Sequence, residues 1–240
     1  MYSDVRGSLE NAVNTYGRAI HGEAHLLTMY NEIAARERPT VLELGTREGI
    51  STRAFLGAIH EGDGGHLYSV DIVDCSSVAN SPRWTFIQSD SADIEGVLSK
   101  APNLRNGIDV LYIDSVHEVE HVKKELFGYF PFVKPGGVIF FDDVDSLPYM
   151  LGRQKDNIHT EIGNRMILTL LNEVFEDNED TLYFCLSRGS TGLARLEKRS
   201  ALGEKLATQQ QPRARYSKRY WKMRRSFLKR LHTFFPSSRV

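Results

Sequence analysis

The sequence predicts a doubly wound α/β fold with a mostly parallel, seven-stranded sheet. Three observations carry that reading. Short and nearly continuous apolar segments alternate with helical ones between residues 41 and 141. Most of those segments stop at a glycine or an acidic residue. Two further strand-like segments near the C-terminus are joined by a link of hairpin length. Strands that are apolar throughout belong to a parallel sheet covered on both faces, and the closing hairpin adds an antiparallel pair.

Each element has its own signal. Residues 8–36 read as helical, with Leu9, Val13, Tyr16 and Ile20, then Leu26, Leu27, Tyr30 and Ile33, at helical spacing. Glu37-Arg38-Pro39 ends that region. Residues 41–44 form the first strand, stopped by Gly45, and residues 51–60 a helix before the turn at Gly62-Asp63-Gly64-Gly65. Strands follow at 66–70 and 84–88, a helix at 94–99 and a fourth strand at 109–113. Residues 116–133 read as a helix broken at Lys134-Pro135-Gly136-Gly137, before a fifth strand at 138–141. A helix over 161–175 holds Ile162, Met166, Leu170 and Val174 inside. Strands at 181–187 and 192–197 close the sheet. The expected organisation is an N-terminal helical segment, 1–38, a central domain, 39–197, and a basic linker and tail, 198–240.

Composition narrows the class. The 240 residues are 41% hydrophobic and 25% charged, which suits a soluble globular chain. No apolar run is long enough to span a bilayer, and the first ten residues lack the apolar core of a secretory signal. Cys75 and Cys185 stand far apart, as expected of reduced thiols in a cytoplasmic protein. The net charge of -1 hides a split. From Lys198 onward there are 13 basic residues and one acid, against 17 basic and 30 acidic residues before it. That asymmetry marks a functionally separate tail.

In open α/β sheets ligands bind beyond the carboxyl ends of the strands. After the first strand stands Glu43-Leu44-Gly45-Thr46-Arg47-Glu48-Gly49. This is neither G-x-G-x-x-G nor a loop followed by G-K-[ST], which argues against a dinucleotide fold and a P-loop. Asp71 ends the second strand, where a carboxylate can accept both hydroxyls of a ribose. The fourth strand ends in Asp114 and the fifth in Asp142-Asp143. Adjacent strands lie about 4.8 Å apart, so the three carboxylates converge and repel unless a cation sits among them. Hard oxygen donors of this kind suit Mg²⁺.

The motif E-x-G-x-x-x-G, the acid ending the second strand and Lys134-Pro135-Gly136-Gly137 before the fifth together resemble the class I, S-adenosylmethionine-dependent methyltransferases, over residues 40–197. Their sheet is Rossmann-like, and the terminal hairpin resembles their last two strands. The resemblance implies that Glu43, Gly45, Thr46 and Gly49 wrap the methionine part of the cofactor. It implies that Asp71 holds the ribose, that Ser89 and Asp90 meet the adenine, and that Asp114 borders the cofactor. The carboxylates resemble the metal-dependent O-methyltransferases of the catechol type, in which an acid and an Asp-Asn pair bind magnesium. Here the pair is Asp142-Asp143, and His117 stands where that type has a lysine. The Asp-Asp form with D-x-x-H is similar to sugar O-methyltransferases of antibiotic and polysaccharide pathways, which implies a sugar or glycan hydroxyl as acceptor. In that setting Asp114 and His117 are the catalytic candidates, with His117 as general base because imidazole titrates near neutrality. Asp114, Asp142 and Asp143 are the metal candidates.

Other readings stay open at this level. His117-Glu118-Val119-Glu120-His121 is a literal H-E-x-x-H, the zinc metallopeptidase pattern if it lies on a helix. A metal-independent methyltransferase and a catalytically inert membrane-recruitment module are the remaining alternatives. The tail is informative on recruitment. Tyr216, Tyr220, Met223, Phe227, Leu231 and Phe234 make an apolar stripe, widened by Trp221, Leu228 and Phe235, with Lys218, Lys222, Arg225 and Lys229 opposite. A basic amphipathic helix over about 214–235 suits an anionic membrane surface, with docking on its own domain or a homo-oligomer as alternatives. Nucleic acid is disfavoured by the acidic body. Residues 145–164 read as a loop over the site, with Tyr149, Arg153, Lys155 and His159, followed by Arg165.

Overall fold

The computed structural model describes residues 4–16, 22–150, 157–207 and 217–234. Arg153, Lys155, Tyr216 and Phe235 lie outside the described residues.

Two helices open the chain, α1 (Val5–Tyr16) and α2 (Glu23–Ala34), where the spacing predicts one helical region. The alternation then runs β1 (Thr40–Leu44), α3 (Ile50–Glu61), β2 (His66–Asp71), β3 (Trp84–Gln88), α4 (Ile94–Lys100), β4 (Ile108–Ile113), α5 (Val119–Tyr129) and β5 (Val133–Phe141). A short helix α6 (Leu147–Met150), the long α7 (Ile158–Asp177), β6 (Leu182–Ser187), β7 (Leu193–Lys198) and α8 (Lys218–Phe234) complete it. The strands form one sheet in the order β3-β2-β1-β4-β5-β7-β6. The first five are parallel, and β7 pairs antiparallel with both β5 and β6. The fold class is therefore the predicted one. Strand order reverses between β1 and β4, which places a ligand crevice at their carboxyl ends.

Strand composition explains the burial. Val41, Leu42 and Leu44 of β1, Val110 and Leu111 of β4, and Val138 to Phe140 of β5 are fully buried. Each such side chain contributes roughly 1.5–3 kcal/mol. Helices α4, α5 and α7 cover one face of the sheet. Helices α1, α2 and α3 cover the other, with Met29, Tyr30 and Ile33 of α2 buried against Phe55 and Ile59 of α3.

Two boundaries differ from the sequence reading for a local reason. The helix expected over 116–133 spans only Val119–Tyr129, because Pro131 converts its end into a 3₁₀ turn at Phe130–Phe132. Strand β5 begins at Val133, not at 138, and the register against β4 shifts between Ile108 and Val110. The Lys134-Pro135-Gly136-Gly137 break is thus absorbed as an irregularity within a strand.

Helix α8 docks on the body, and in an unexpected orientation. Arg225, expected on its outer basic face, is 5% exposed and pairs with Glu161 of α7 at 3.0 Å. The Arg165 guanidinium lies 4.3 Å from the Trp221 ring centre. Met223, Phe227 and Leu231 point outward instead. An apolar stripe left facing water is the cost of burying one charged pair, and pattern alone does not rank those two options. Among the described residues no helix is long and apolar enough to cross a membrane.

Candidate active site

The loop after β1 is held from two sides. Gly45 adopts φ +96°, and a Cβ there would fall 2.2 Å from the Asp114 carbonyl oxygen, so only glycine lets β1 and β4 end this close together. Gly49, at φ +70°, begins α3 without a side-chain cap, which leaves the first amides of that helix for a ligand. Asp71 ties the loop to β2: its Oδ2 accepts the amides of Thr46 and Arg47, each at 3.0 Å, and its Oδ1 accepts that of Val73. Burial pushes the Asp71 carboxyl up, but these backbone donors outweigh it and hold it below its ordinary value. A carboxylate has about four acceptor positions, so capacity for further donors remains. Thr46 is 2% exposed, and its hydroxyl oxygen has no hydrogen-bond partner.

Glu43 does something other than the resemblance implies. Its carboxylate is fully buried and accepts the hydroxyls of Ser51, Thr52 and Ser69. It fastens α3 and β2 to β1, so it shapes the loop from behind rather than meeting a ligand. Burial raises its carboxyl to about 7 against the pull of the three hydroxyls. Ser89 follows β3, with its amide on the Asp71 carbonyl. Asp90 is exposed and accepts the Ala92 amide, whereas the cap of α4 is Asp93, which accepts from Gly96. Asp90 is therefore not the cap of that helix.

The second half of the site stands at the ends of β4 and β5. The Tyr112 hydroxyl lies 3.0 Å from Asp114 Oδ2 and 3.2 Å from Asp142 Oδ2. His117 Nε2 is 3.2 Å from Asp114 Oδ1, and its Nδ1 is 3.6 Å from Asp143 Oδ2. His25 of α2, 3% exposed, donates from Nδ1 to Asp142 Oδ1 at 3.2 Å, and its Nε2 has no partner. Asp114, Asp142 and Asp143 keep 34%, 22% and 25% of their side-chain surface, so the cluster opens on one side.

The electrostatics follow from crowding. Burial raises Asp114, and the charge of Asp142 adds to it against the hydrogen bond from His117. Asp143 rises to about 6, first through burial and then through Asp142. Burial lowers His117, but Asp114 and Asp143 outweigh it and the imidazole ends above its ordinary value. Asp143 also sits at φ +55°, a conformation costly for a residue other than glycine, which turns its side chain back toward His117.

The predicted residues therefore fall into two groups on one sheet edge, the loop with Asp71 and the cluster of Asp114, His117, Asp142 and Asp143. Among the described residues no group of three or more His, Cys, Asp or Glu side chains is closed up as a metal-holding cluster. The metallopeptidase reading of 117–121 fails. Glu118 is extended, at φ -112° and ψ 122°, so α5 starts after His117 and the two histidines share no helix face. His121 instead meets Ser91 at 3.1 Å and Glu125 at 3.2 Å. Sequence reasoning missed Tyr112 and His25. Tyr112 precedes Asp114 by two residues on a strand, a spacing that puts both on one face. His25 carried no signal, because it reaches Asp142 only through the packing of α2.

Residues 42–144 match the family described as a methyltransferase domain. An uncharacterized protein of Acanthamoeba polyphaga mimivirus is 26% identical over 144 residues, covering 54% of this chain and 62% of the viral one. The MycE methyltransferase from the mycinamycin biosynthetic pathway, solved in complex with Mg and SAH, superposes with a TM-score of 0.57 at 20% identity, covering 88% of this chain and 57% of MycE. The SAH-bound Podospora anserina methyltransferase PaMTH1 gives a TM-score of 0.59 at 12% identity, over 82% of this chain and 88% of that one. The chain thus spans less than two thirds of the viral relative and of MycE. Residues 42–144 thus match a methyltransferase domain, and the chain has the class I methyltransferase fold.

Proposed function

We propose that the chain is an O-methyltransferase that uses S-adenosylmethionine and acts on a hydroxyl of a sugar or another small or glycan acceptor, assisted by Mg²⁺. The observation that carries this is the cluster of Asp114, Asp142, Asp143 and His117 beside the Gly45 loop. The loop fits the cofactor: a glycine cradle that a Cβ would fill, an unpartnered buried Thr46 hydroxyl, and Asp71 at the ribose position. When bound, S-adenosylmethionine supplies a methyl group made electrophilic by its sulfonium. Gly45, Thr46 and Gly49 would hold its methionine part, Asp71 its ribose, and Ser89 and Asp90 its adenine.

The donor chemistry suits Mg²⁺, since three hard carboxylates stand at the ends of β4 and β5, although as placed they form no metal-holding cluster. Asp114, Asp142 and Asp143 would hold the ion, which supplies Lewis acidity that makes an acceptor hydroxyl easier to ionise. His117 then takes the hydroxyl proton at a ring nitrogen. Asp114 and Asp143 flank that imidazole and stabilise its charged form. Fixed alignment of acceptor oxygen and methyl carbon supplies about 7–11 kcal/mol of the barrier. His25 and Tyr112 orient the carboxylates.

Calorimetry with S-adenosylhomocysteine tests the cofactor, and turnover on a panel of sugar acceptors with Mg²⁺ or EDTA tests the rest. Micromolar binding followed by EDTA-sensitive methylation of a hydroxyl supports the reading. Absence of S-adenosylhomocysteine binding ends it.

The outward ridge of α8 favours a peripheral role on an anionic membrane. Met223, Phe227 and Leu231 are 66%, 62% and 39% exposed, and Arg219 and Arg230 are exposed beside them. Two such ridges facing each other in a dimer would oppose like charges, whereas anionic lipid complements both features. Sedimentation with vesicles containing phosphatidylglycerol should carry the full chain down and leave Phe227→Glu in solution. Equal sedimentation of both removes the membrane role.

A further inference from the structure

A cavity of about 630 Å³ lies between the start of α5, the first turns of α7 and the first turn of α8. His117 borders it and is the one member of the proposed catalytic cluster that lines it. Val119, Ile162, Met166 and Trp221 give it largely apolar walls, and Lys218 stands at the α8 side. Met166 and Val116 are 38% and 40% exposed, and both line this space, so it holds apolar surface that water now covers.

The walls are fixed by features that no strand-end motif announces. A Cβ at Gly163 would fall 2.7 Å from the His117 carbonyl oxygen, so α7 rests directly on the backbone of the His117 loop. Glu161, two residues earlier and 3% exposed, pairs with Arg225 and so fastens α8 against α7. Arg165 lies over Trp221 and sets that ring in the wall. The docked tail helix thereby becomes part of the pocket beside His117. One of its faces builds the cavity, and the other looks outward.

The geometry points to a binding site for an amphipathic acceptor, whose hydroxyl-bearing head lies at His117 while an apolar arm fills the cavity against Met166 and Trp221. This rests on the methyltransferase reading above and narrows its acceptor to a glycoside with an apolar aglycone. The volume suits a ligand of that size, and largely apolar walls with a few polar groups are what such a ligand requires.

The probe is n-octyl β-D-glucoside, kept below the concentration at which it forms micelles, with methyl β-D-glucoside as its comparison. Both are titrated into the full chain by calorimetry, with and without S-adenosylhomocysteine. The octyl compound should saturate one site and bind at least about tenfold more tightly than the methyl compound, because burial of its methylenes drives binding. Met166→Glu, on the α7 wall, and Trp221→Ala, on the α8 wall, should each weaken the octyl glucoside about tenfold or more. Both should leave the affinity for S-adenosylhomocysteine unchanged, which also reports that each variant is folded. Equal binding of the two glucosides, no saturable binding, or octyl binding indifferent to both substitutions overturns the proposal. Loss of S-adenosylhomocysteine binding in the unmodified chain would instead remove the methyltransferase reading, and the glucoside titration would still judge the cavity by itself.

Discussion

The two halves of the site are built on opposite principles. On the side of β1 and β2 the polar groups are nearly all satisfied: Glu43 accepts three hydroxyls and Asp71 three backbone amides. On the side of β4 and β5 Asp114 and Asp142 share the Tyr112 hydroxyl, Asp114 and Asp143 flank His117, and His25 meets Asp142, with Asp143 in a strained conformation. The first half is a rigid mould, finished before any ligand arrives. The second stores repulsion that a cation or a proton in transit would relieve. The proposed function would use the first half to hold a cofactor and the second to move a proton.

That contrast can be broken in four places. The largest effects belong to the crowded half. Asp142→Asn and His117→Gln should each lower turnover about 10²–10⁴-fold in a methylation assay, while the Kd of S-adenosylhomocysteine changes by less than about threefold. Full turnover in Asp142→Asn would show that the carboxylates are not part of the chemistry. Next comes the wall behind them. Arg225→Ala leaves buried Glu161 with Arg165, at 3.4 Å, as its one remaining cationic partner, a loss of about 1–3 kcal/mol. Hydrogen exchange should show α8 released while β1 and β4 stay protected.

The rigid half should respond to pH through Glu43. Its carboxyl sits near 7 when folded, against an ordinary value of 4.5, so the folded chain keeps a proton that the unfolded chain gives up. That contribution is fully present below about 4.5 and is lost as pH rises through about 7, a difference of about 3 kcal/mol. Glu43→Gln should therefore lose less melting temperature across that window than the parent chain, the fall that remains coming from the raised Asp143 and His117. Parallel melting curves would mean that the three hydroxyls already offset the burial. The smallest effect is expected at Asp71→Asn, where one charge-assisted acceptor is weakened. The affinity for S-adenosylhomocysteine should drop about tenfold, with the acceptor side untouched.

Much of the β1–β2 half was legible in the sequence because it is local. Glycines 45 and 49 and the acid at 71 follow strands whose apolar runs are plain, and strand ends are where α/β folds keep their ligands. Glu43 shows the limit of that reasoning. Its place in the motif was visible, but the hydroxyls of Ser51, Thr52 and Ser69 that enclose it come from two other elements. The H-E-x-x-H pattern shows the opposite limit. Its spacing has meaning only on a helix, and the chain is extended at Glu118.

Local pattern was enough for the alternation, the seven strands, the glycine loop and the acids at the ends of β2, β4 and β5, because each follows from short-range periodicity and turn chemistry. Packing of the whole chain settled the rest: that His25 reaches Asp142, that Arg225 rather than the apolar stripe of α8 is buried, and that α7 and α8 wall a cavity beside His117. Those contacts join residues far apart in the chain. Their outcome turns on which of several comparable burials wins when the whole surface packs, a competition that no local pattern records.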